Sequence, residues 1–204
     1  PSKCLIRSSR VVAEMRNAGA FGVKVPDNIE VDFPAVMERM RRLRAGISHH
    51  DSAKRFKDTY GIDIFLGNGR FTGDDTIEVN DTTLKFKKAV IATGARAVRP
   101  RVEGMEEAGY LTNETVFSLT ERPNRLAVIG GGPIGCELAQ SFRRLGCEVV
   151  LFHRGSHILN KEDADAADIV QKVFLKEGIR LVLGAKLNRV RSEEHTSELQ
   201  SPDH

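Results

Sequence analysis

At 204 residues, with 31 basic against 28 acidic side chains and a formal net charge of +3, the chain can hold one large or two small domains and is close to charge balance. That balance gives no basic footprint for nucleic acid or an anionic membrane. No apolar run nears the roughly 20 residues of a bilayer span and no signal-peptide pattern opens the chain, so the cytoplasm is the expected compartment. Cys4, Cys136 and Cys147 are odd in number and irregularly spaced, which supports neither a disulfide framework nor a zinc site; packed, reduced thiols are expected.

The chain opens in a helical pattern without an initiator Met, which reads as a start in mid-fold; Ser2 is the expected N-cap, with Leu5, Val12 and Met15 on one face. Gly19 and Gly22 close that helix. Asp32-Phe33-Pro34 starts another, with a cap residue and an early proline, and Val36, Met37, Met40, Leu43 and Ile47 form its apolar stripe. Arg39, Arg41, Arg42 and Arg44 lie on the other side. Glu38 interrupts them and no aromatics interleave, so a solvated face is expected rather than a nucleic-acid site. His49, His50 and Asp51 are metal-ligand types, but adjacent helical positions point apart and no metal site is expected.

From Ile62 the period changes. Residues 62–66, 76–79, 83–86 and 89–92 read as short strands parted by G-N-G, T-G-D-D and N-D turns. The last of them, A-V-I-A-T-G, ends in Thr93 and Gly94, a small end that lets backbone approach a flat or anionic ligand. A polar linker with Pro100 follows over 96–106, then a short helix within 110–119 capped by Thr112 or Asn113.

The strongest signal lies at 125–154, R-L-A-V-I-G-G-G-P-I-G-C-E-L-A-Q-S-F-R-R-L-G-C-E-V-V-L-F-H-R. Leu126 to Ile129 is an apolar run too short for a helix and reads as a buried parallel strand. Gly130, Gly132 and Gly135 then satisfy G-x-G-x-x-G, with Gly131, Pro133 and Ile134 completing the turn. Such a turn brings backbone close to a pyrophosphate and packs helix on strand. Ile134, Leu138, Phe142 and Leu145 recur at helical spacing, Gly146 stops the helix, and Val149 to Phe152 is a second strand. The result is a βαβ unit whose helix N-terminus offers free N–H groups and a dipole to a diphosphate. Beyond it, Asp163 or Asp165 opens a helix with Ile169, Val173 and Phe174 on one face, Gly178 ends it, 179–183 is a third strand and 186–190 starts another.

From Arg191 the sequence R-S-E-E-H-T-S-E-L-Q-S-P-D-H has almost no apolar residues and no period. Its first eleven residues are what a common sequencing-library adapter encodes in one reading frame. Residues 191–204 are therefore expected to be a disordered, non-native tail.

Taken together, P-S-K-C-L-I at the start, G-N-G-R-F, A-V-I-A-T-G-A-R and G-G-G-P-I-G-C-E, in that order, resemble the flavin-dependent pyridine nucleotide–disulfide oxidoreductases. That family includes dihydrolipoamide dehydrogenase, glutathione reductase and mercuric reductase. The L-T-N-E-T-V-F-S-L-T-E-R-P and E-D-A-D-A segments look most like members labelled mercuric reductase. The resemblance implies a partial three-layer, Rossmann-like α/β fold with a small antiparallel sheet. Residues 1–101 would be the remainder of an FAD-binding domain and 102–190 an incomplete NAD(P)-binding domain.

The family's C-x-x-x-x-C redox pair would lie upstream of Pro1, so no catalytic residue is expected in this chain, and Cys4, which follows the P-S-K lysine, is expected to be inert. Lys3 matches the lysine beside the reactive part of the flavin and Glu137 the glutamate that pairs with it; the alternative for Glu137 is that it complements its helix N-terminus. Gly69 matches the glycine that meets the FAD adenine, and Thr93, Gly94 and Ala95 match the loop over the FAD diphosphate. At the end of the second strand an NAD-type site has an acid, whereas this chain has His153 and Arg154, which favours a 2′-phosphate and NADPH, with His157 to assist.

The implied reaction passes electrons from NAD(P)H through FAD to the cysteine pair and on to a disulfide or Hg(II), in a parent that dimerises through a further domain, the fragment alone being inactive. Three alternatives stay open: a dihydrolipoamide or glutathione-type reductase, a flavin-dependent hydride-transfer enzyme that kept the fold without the cysteine pair, and a nucleotide-binding sensor without redox chemistry.

Overall fold

The computed structural model describes residues 1–98 and 101–191, so Pro100 of the expected linker and residues 192–204 of the expected tail lie outside the described residues. The described chain forms two compact units, Arg42–Ala97 and a second that joins Pro1–Arg41 to the residues from Val98 onward.

In the larger unit, helix α1 (Ser2–Arg16) buries Leu5, Ser9 and Val12. Ser2 is its first helical residue and Pro1 its N-cap, so Ser2 does not cap. The buried Ser9 hydroxyl is satisfied by donating to the Ile6 carbonyl at 3.0 Å. Helix α2 (Phe33–Ser48) starts as its sequence requires: the Asp32 carboxylate accepts from the Ala35 amide at 2.9 Å. Asp32→Ala is expected to cost about 1 kcal/mol, read from urea unfolding, which is the usual worth of such a cap. Phe33, Met37 and Met40 are buried, whereas Leu43 and Ile47, at 41% and 58% exposure, are not. Arg39, Arg42 and Arg44 are exposed and Arg41 pairs with Glu38, in keeping with a solvated face.

The second half of this unit is a parallel sheet of three strands in the order β4 (Arg125–Ile129), β5 (Glu148–Phe152) and β6 (Arg180–Val182). Its register places Leu126 beside Val149 and Val128 beside Leu151. Helix α5 (Pro133–Arg144) connects β4 to β5 and helix α6 (Ala164–Lys176) connects β5 to β6. Sequential parallel strands with right-handed crossovers place both helices on one face of the sheet. Their side chains meet there, Gln140 and Arg144 of α5 reaching Glu177 just past α6. α1 packs on α5 as well. One apolar core runs through Leu5, Phe33, Met37, Phe142, Leu151, Phe174 and Ile179, with the Phe33 and Phe142 rings 5.9 Å apart.

Helix α6 departs from the expected face. Ala167 and Phe174 are buried and Val170 packs beside them, whereas Ile169 and Val173 are 65% and 37% exposed. The 3.6-residue period alone does not say which flank of a broad apolar arc meets the sheet. A short helix α4 (Met105–Ala108) and a 3₁₀ turn at Val116–Ser118 fill the stretch before β4; Thr112 supplies a side-chain acceptor there, to the Glu114 amide at 3.1 Å. The strand expected at 186–190 is reduced to a single bridge between Glu103 and Arg189.

The smaller unit holds helix α3 (Ala53–Tyr60), capped by Ser52, and an antiparallel sheet in the order β1 (Gly69–Phe71), β2 (Thr76–Val79) and β3 (Thr82–Lys85). Asn80, at φ +52°, turns β2 into β3. The strands expected at 62–66 and 89–92 do not form. An apolar run becomes a strand only where a neighbour completes its hydrogen-bond ladder. Among the described residues none does so here, and Val90 and Ile91 stand 91% and 72% exposed. The overall class is α/β, with a parallel sheet and a small antiparallel one.

Candidate nucleotide-binding site

The site forms where β4 turns into α5. Gly130 leaves the strand at φ +111°, a conformation closed to most side chains, and its amide donates to the Phe152 carbonyl at 2.8 Å. Gly135 is required by contact: a Cβ there would lie 1.9 Å from the Gly130 carbonyl oxygen. Gly132 is different, because a Cβ there would meet nothing within 4 Å. No packing in this chain demands glycine at 132, so the clearance suits something that approaches from outside.

Pro133 is the first residue of α5 and Gly132 its N-cap, with no side-chain cap. The first intrahelical bond runs from the Cys136 amide to the Gly132 carbonyl. Proline has no N–H, so the Ile134 and Gly135 amides of the first turn, with that of Gly132, are left to face an anion at the positive end of the dipole.

Gly130, Gly131 and Gly132 line a cavity of about 290 Å³ with Ile129, Phe152, His153, Arg154, Ala185 and Leu187. A larger depression of about 590 Å³ beside the end of α1, bordered by Arg10, Glu14, Phe21 and Arg144, has no glycine turn and no α-helix N-terminus. Arg154 is exposed and, among the described residues, makes no ion pair, so its guanidinium is available to a ligand. His153 is 8% exposed, and its Nδ1 accepts from the Gly131 amide at 3.1 Å. Burial, with the nearby charges of Arg154 and His157, holds its imidazole below the ordinary value.

The structure thus brings Gly130, Gly131, Gly132, His153 and Arg154 to one cavity, with Pro133, Ile134 and Gly135 in the adjoining turn. Glu137 lies further along α5 and is exposed, as is Lys3 on α1; no ion pair joins the two among the described residues. Glu137 is the fifth residue of α5, whose first turn carries no acid, so dipole complementation there is weak. In the smaller unit, Gly69 opens β1, and Thr93, Gly94 and Ala95 lie in an exposed segment without regular structure. Gly94 has φ +71° and open space where a Cβ would stand, which fits close backbone approach to a flat or anionic group.

Cys136 and Cys147 are not poised for chemistry. Burial pushes the Cys136 and Cys147 thiols up to about 11, and all three cysteines are free. No group of three or more His, Cys, Asp or Glu residues suited to a metal occurs among the described residues; His49 and His50 lie past the end of α2, so their rings do not point apart as expected but sit 3.7 Å apart, tilted at 43°.

Sequence reasoning missed the loop that braces the turn from behind. Ile158 is fully buried, and the Leu159 amide donates to the Gly131 carbonyl at 2.7 Å. The apolar pair Ile158-Leu159 in an otherwise polar loop is the signal that would have found it.

The profile of a family described as pyridine nucleotide-disulphide oxidoreductase matches residues 6–203. A mercuric reductase of Lysinibacillus sphaericus is 34% identical over 93% of this chain and 34% of its own length. A dihydrolipoyl dehydrogenase of Chlamydia muridarum is 30% identical over 93% of this chain and 41% of its own. Among solved structures, the HOCl-induced flavoprotein disulfide reductase RclA of Escherichia coli, in its Cu(II) complex, superposes with a TM-score of 0.72 at 24% identity, over 95% of this chain and 40% of that one. LpdA of Mycobacterium tuberculosis gives 0.71 at 25% identity, over 91% and 41%. The chain spans about a third of the length of the mercuric reductase it matches. With a glycine turn at the head of a parallel βαβ unit and a family profile that covers nearly all of its length, this chain belongs to the pyridine nucleotide-disulphide oxidoreductase family.

Proposed function

We propose that the chain carries the nicotinamide-nucleotide site of a flavoprotein oxidoreductase that moves electrons from NAD(P)H through FAD to a cysteine pair and on to a disulfide or Hg(II). The observation that carries this reading is the cavity at the Gly130–Gly135 turn with His153 and Arg154 on its rim. In such an enzyme the bound nucleotide supplies hydride and the flavin relays electrons to the dithiol. The residues of this chain bind and orient. The Gly132, Ile134 and Gly135 amides hold a diphosphate, and Arg154 grips a 2′-phosphate where an acid would repel it. Lys3 and Glu137 are assigned to the reactive face of the flavin, Gly69 to the adenine, and Thr93, Gly94 and Ala95 to the flavin diphosphate.

None of the three cysteines forms a C-x-x-x-x-C pair, so the dithiol step falls to residues outside these 204 and the isolated chain is assigned no turnover. The mercuric reductase relatives favour a metal-ion substrate; the dihydrolipoyl dehydrogenases keep a disulfide substrate as the second reading. We assign the flavin- and nucleotide-binding parts to residues 1–101 and 102–190, a homodimeric parent and the cytoplasm; no helix among the described residues is long and apolar enough to cross a membrane.

Titration with NADPH and NADH tests the cofactor assignment. Arg154→Ala is expected to weaken NADPH by about tenfold, the worth of one charge-assisted phosphate contact, while NADH changes by less than about twofold. Equal weakening of both would remove Arg154 from the 2′-phosphate and leave cofactor choice to other residues.

A further inference from the structure

We propose that His153 is the positioning residue of the nucleotide site: the neutral imidazole holds the Gly131 amide and with it the glycine turn in its receiving shape, and protonation of His153 releases the turn and weakens nucleotide binding. The inference rests on the reading of this turn as a nucleotide site.

The tautomer follows from the geometry. The Gly131 amide donates to Nδ1 at 3.1 Å, so Nδ1 carries the lone pair and the ring proton sits on Nε2. Two glycines flank the ring and leave it the space that a side chain would take. A Cβ at Gly131 would come within 3.0 Å of its Cγ, and one at Gly155 within 2.8 Å of Nε2. The His153 backbone is fixed as well, its amide donating to the Val182 carbonyl and its carbonyl accepting from the Ala185 amide, both at 2.9 Å.

Gly131 is held at its other end too. Its carbonyl accepts from the Leu159 amide at 2.7 Å and from Cys136 Sγ at 3.5 Å. With the Gly130 and Gly131 amides both engaged inside the protein, the amides left for a phosphate are those of Gly132, Ile134 and Gly135. His153 therefore acts through the turn rather than on the ligand. A second proton on the ring would set Nδ1–H against the Gly131 N–H, donor against donor, in a buried slot.

Nε2 is already a buried polar atom without a hydrogen-bond partner, so the slot offers a protonated ring no compensation. The titratable and charged groups around the ring are Arg154 and His157, which follow it in the chain, and the neutral thiol of Cys136 on α5; Val182 and Ala185 on the β6 side contribute none. Burial first, then Arg154 and His157, depresses the folded-state value of His153 below 6.5. The latched form is thus fully populated above that pH, and affinity is lost as pH falls through the depressed value. One proton expelled on binding gives a slope approaching about tenfold per pH unit.

The test is NADPH affinity of the full 204-residue chain between pH 5 and 8, read from nicotinamide fluorescence, for wild type, His153→Ala and His153→Asn. Asn offers an amide oxygen to Gly131 and does not titrate. His153→Ala is expected to bind about tenfold more weakly at pH 7.5 and His153→Asn to recover most of that loss. The 2′-phosphate titrates in the same range in every variant, so the readout is the difference between profiles. Wild type is expected to lose affinity on acidification relative to His153→Asn. Parallel profiles overturn the proposal, and so does a wild type that gains affinity in acid relative to His153→Asn, because a protonated His153 would then be a phosphate ligand. Nitrogen NMR of the free chain reads the latch without nucleotide: the Gly131 amide and the His153 ring nitrogens are expected to titrate together below pH 6.5. Independent titration overturns the latch. Absence of NADPH binding at every pH, with joint titration intact, overturns the nucleotide reading and the binding part of the proposal while the latch itself stands.

Discussion

Gly135→Ala is expected to lose nicotinamide-nucleotide binding by about ten- to a hundred-fold and to destabilise the larger unit at the same time. The added methyl would sit 1.9 Å from the Gly130 carbonyl oxygen, and both partners in that clash are backbone. A flexible side chain would swing away; a carbonyl at the end of β4 can move only if the strand or α5 moves with it. Overpacking of this kind costs about 1–3 kcal/mol, and each 1.4 kcal/mol is tenfold in affinity when it falls on the binding-competent state. Gly132→Ala is the informative partner. Its methyl meets no protein atom within 4 Å, so denaturation should move by less than about 1 kcal/mol while the methyl occupies the ligand's approach. Paired fluorescence titration and urea unfolding separate the two. If Gly135→Ala bound NADPH within twofold of wild type, the turn would be plastic and the packing role of its third glycine would fail. If Gly132→Ala bound normally, the clearance above that residue would have nothing to do with a nucleotide.

The difference between those two glycines was not legible in the sequence, although the motif was. The order strand, G-x-G-x-x-G, helix, strand is local: each step is set by a short apolar run, a φ only glycine tolerates or a 3.6-residue period. It placed β4, α5 and β5 within a residue of their observed bounds. The same local reasoning failed wherever the outcome depended on a partner distant in the chain. Residues 89–92 have the composition of a buried strand but no neighbour to pair with among the described residues, and they lie exposed. α6 buries Phe174 as expected yet turns Ile169 outward, because the sheet it covers chose the flank. α3 was not foreseen, although Ser52 and Gly61 bracket it as cap and stop. His153 was read as the end of a strand beside a phosphate. Its bond to Gly131, 22 positions earlier, follows only from the parallel register that sets Ile129 beside Phe152. Motif spacing reports backbone shape well and reports side-chain partnership across elements poorly.

One such partnership is expected to dominate the stability of the helical layer. Glu177, just beyond α6, accepts from Arg144 at 2.6 and 3.0 Å and from Gln140 at 3.2 Å, and its backbone carbonyl accepts from Arg143 at 2.7 Å. Three residues of α5 thereby meet at the end of α6, with the Arg144 and Glu177 side chains only 18% and 23% exposed. Truncation would strand a guanidinium and an amide in a half-dry crevice. For fully buried pairs the loss is about 3–5 kcal/mol; residual solvent access at this one lowers the expectation to about 2 kcal/mol. That corresponds to a fall in melting temperature of roughly 4–8 °C for a chain of this size. Glu177→Gln keeps an acceptor oxygen and should lose about half as much. The exposed pair Arg10–Glu14 is the control: with side chains 67% and 54% exposed, its removal should pass almost unnoticed and vanish in high salt, whereas the Glu177 effect should persist because buried pairs are poorly screened. Melting of Glu177→Ala, Glu177→Gln and Glu14→Ala at low and high salt decides it. A Glu177→Ala loss that salt erases would mean that the clamp is a surface ion pair and that α5 and α6 are held by the Phe142 and Phe174 core alone.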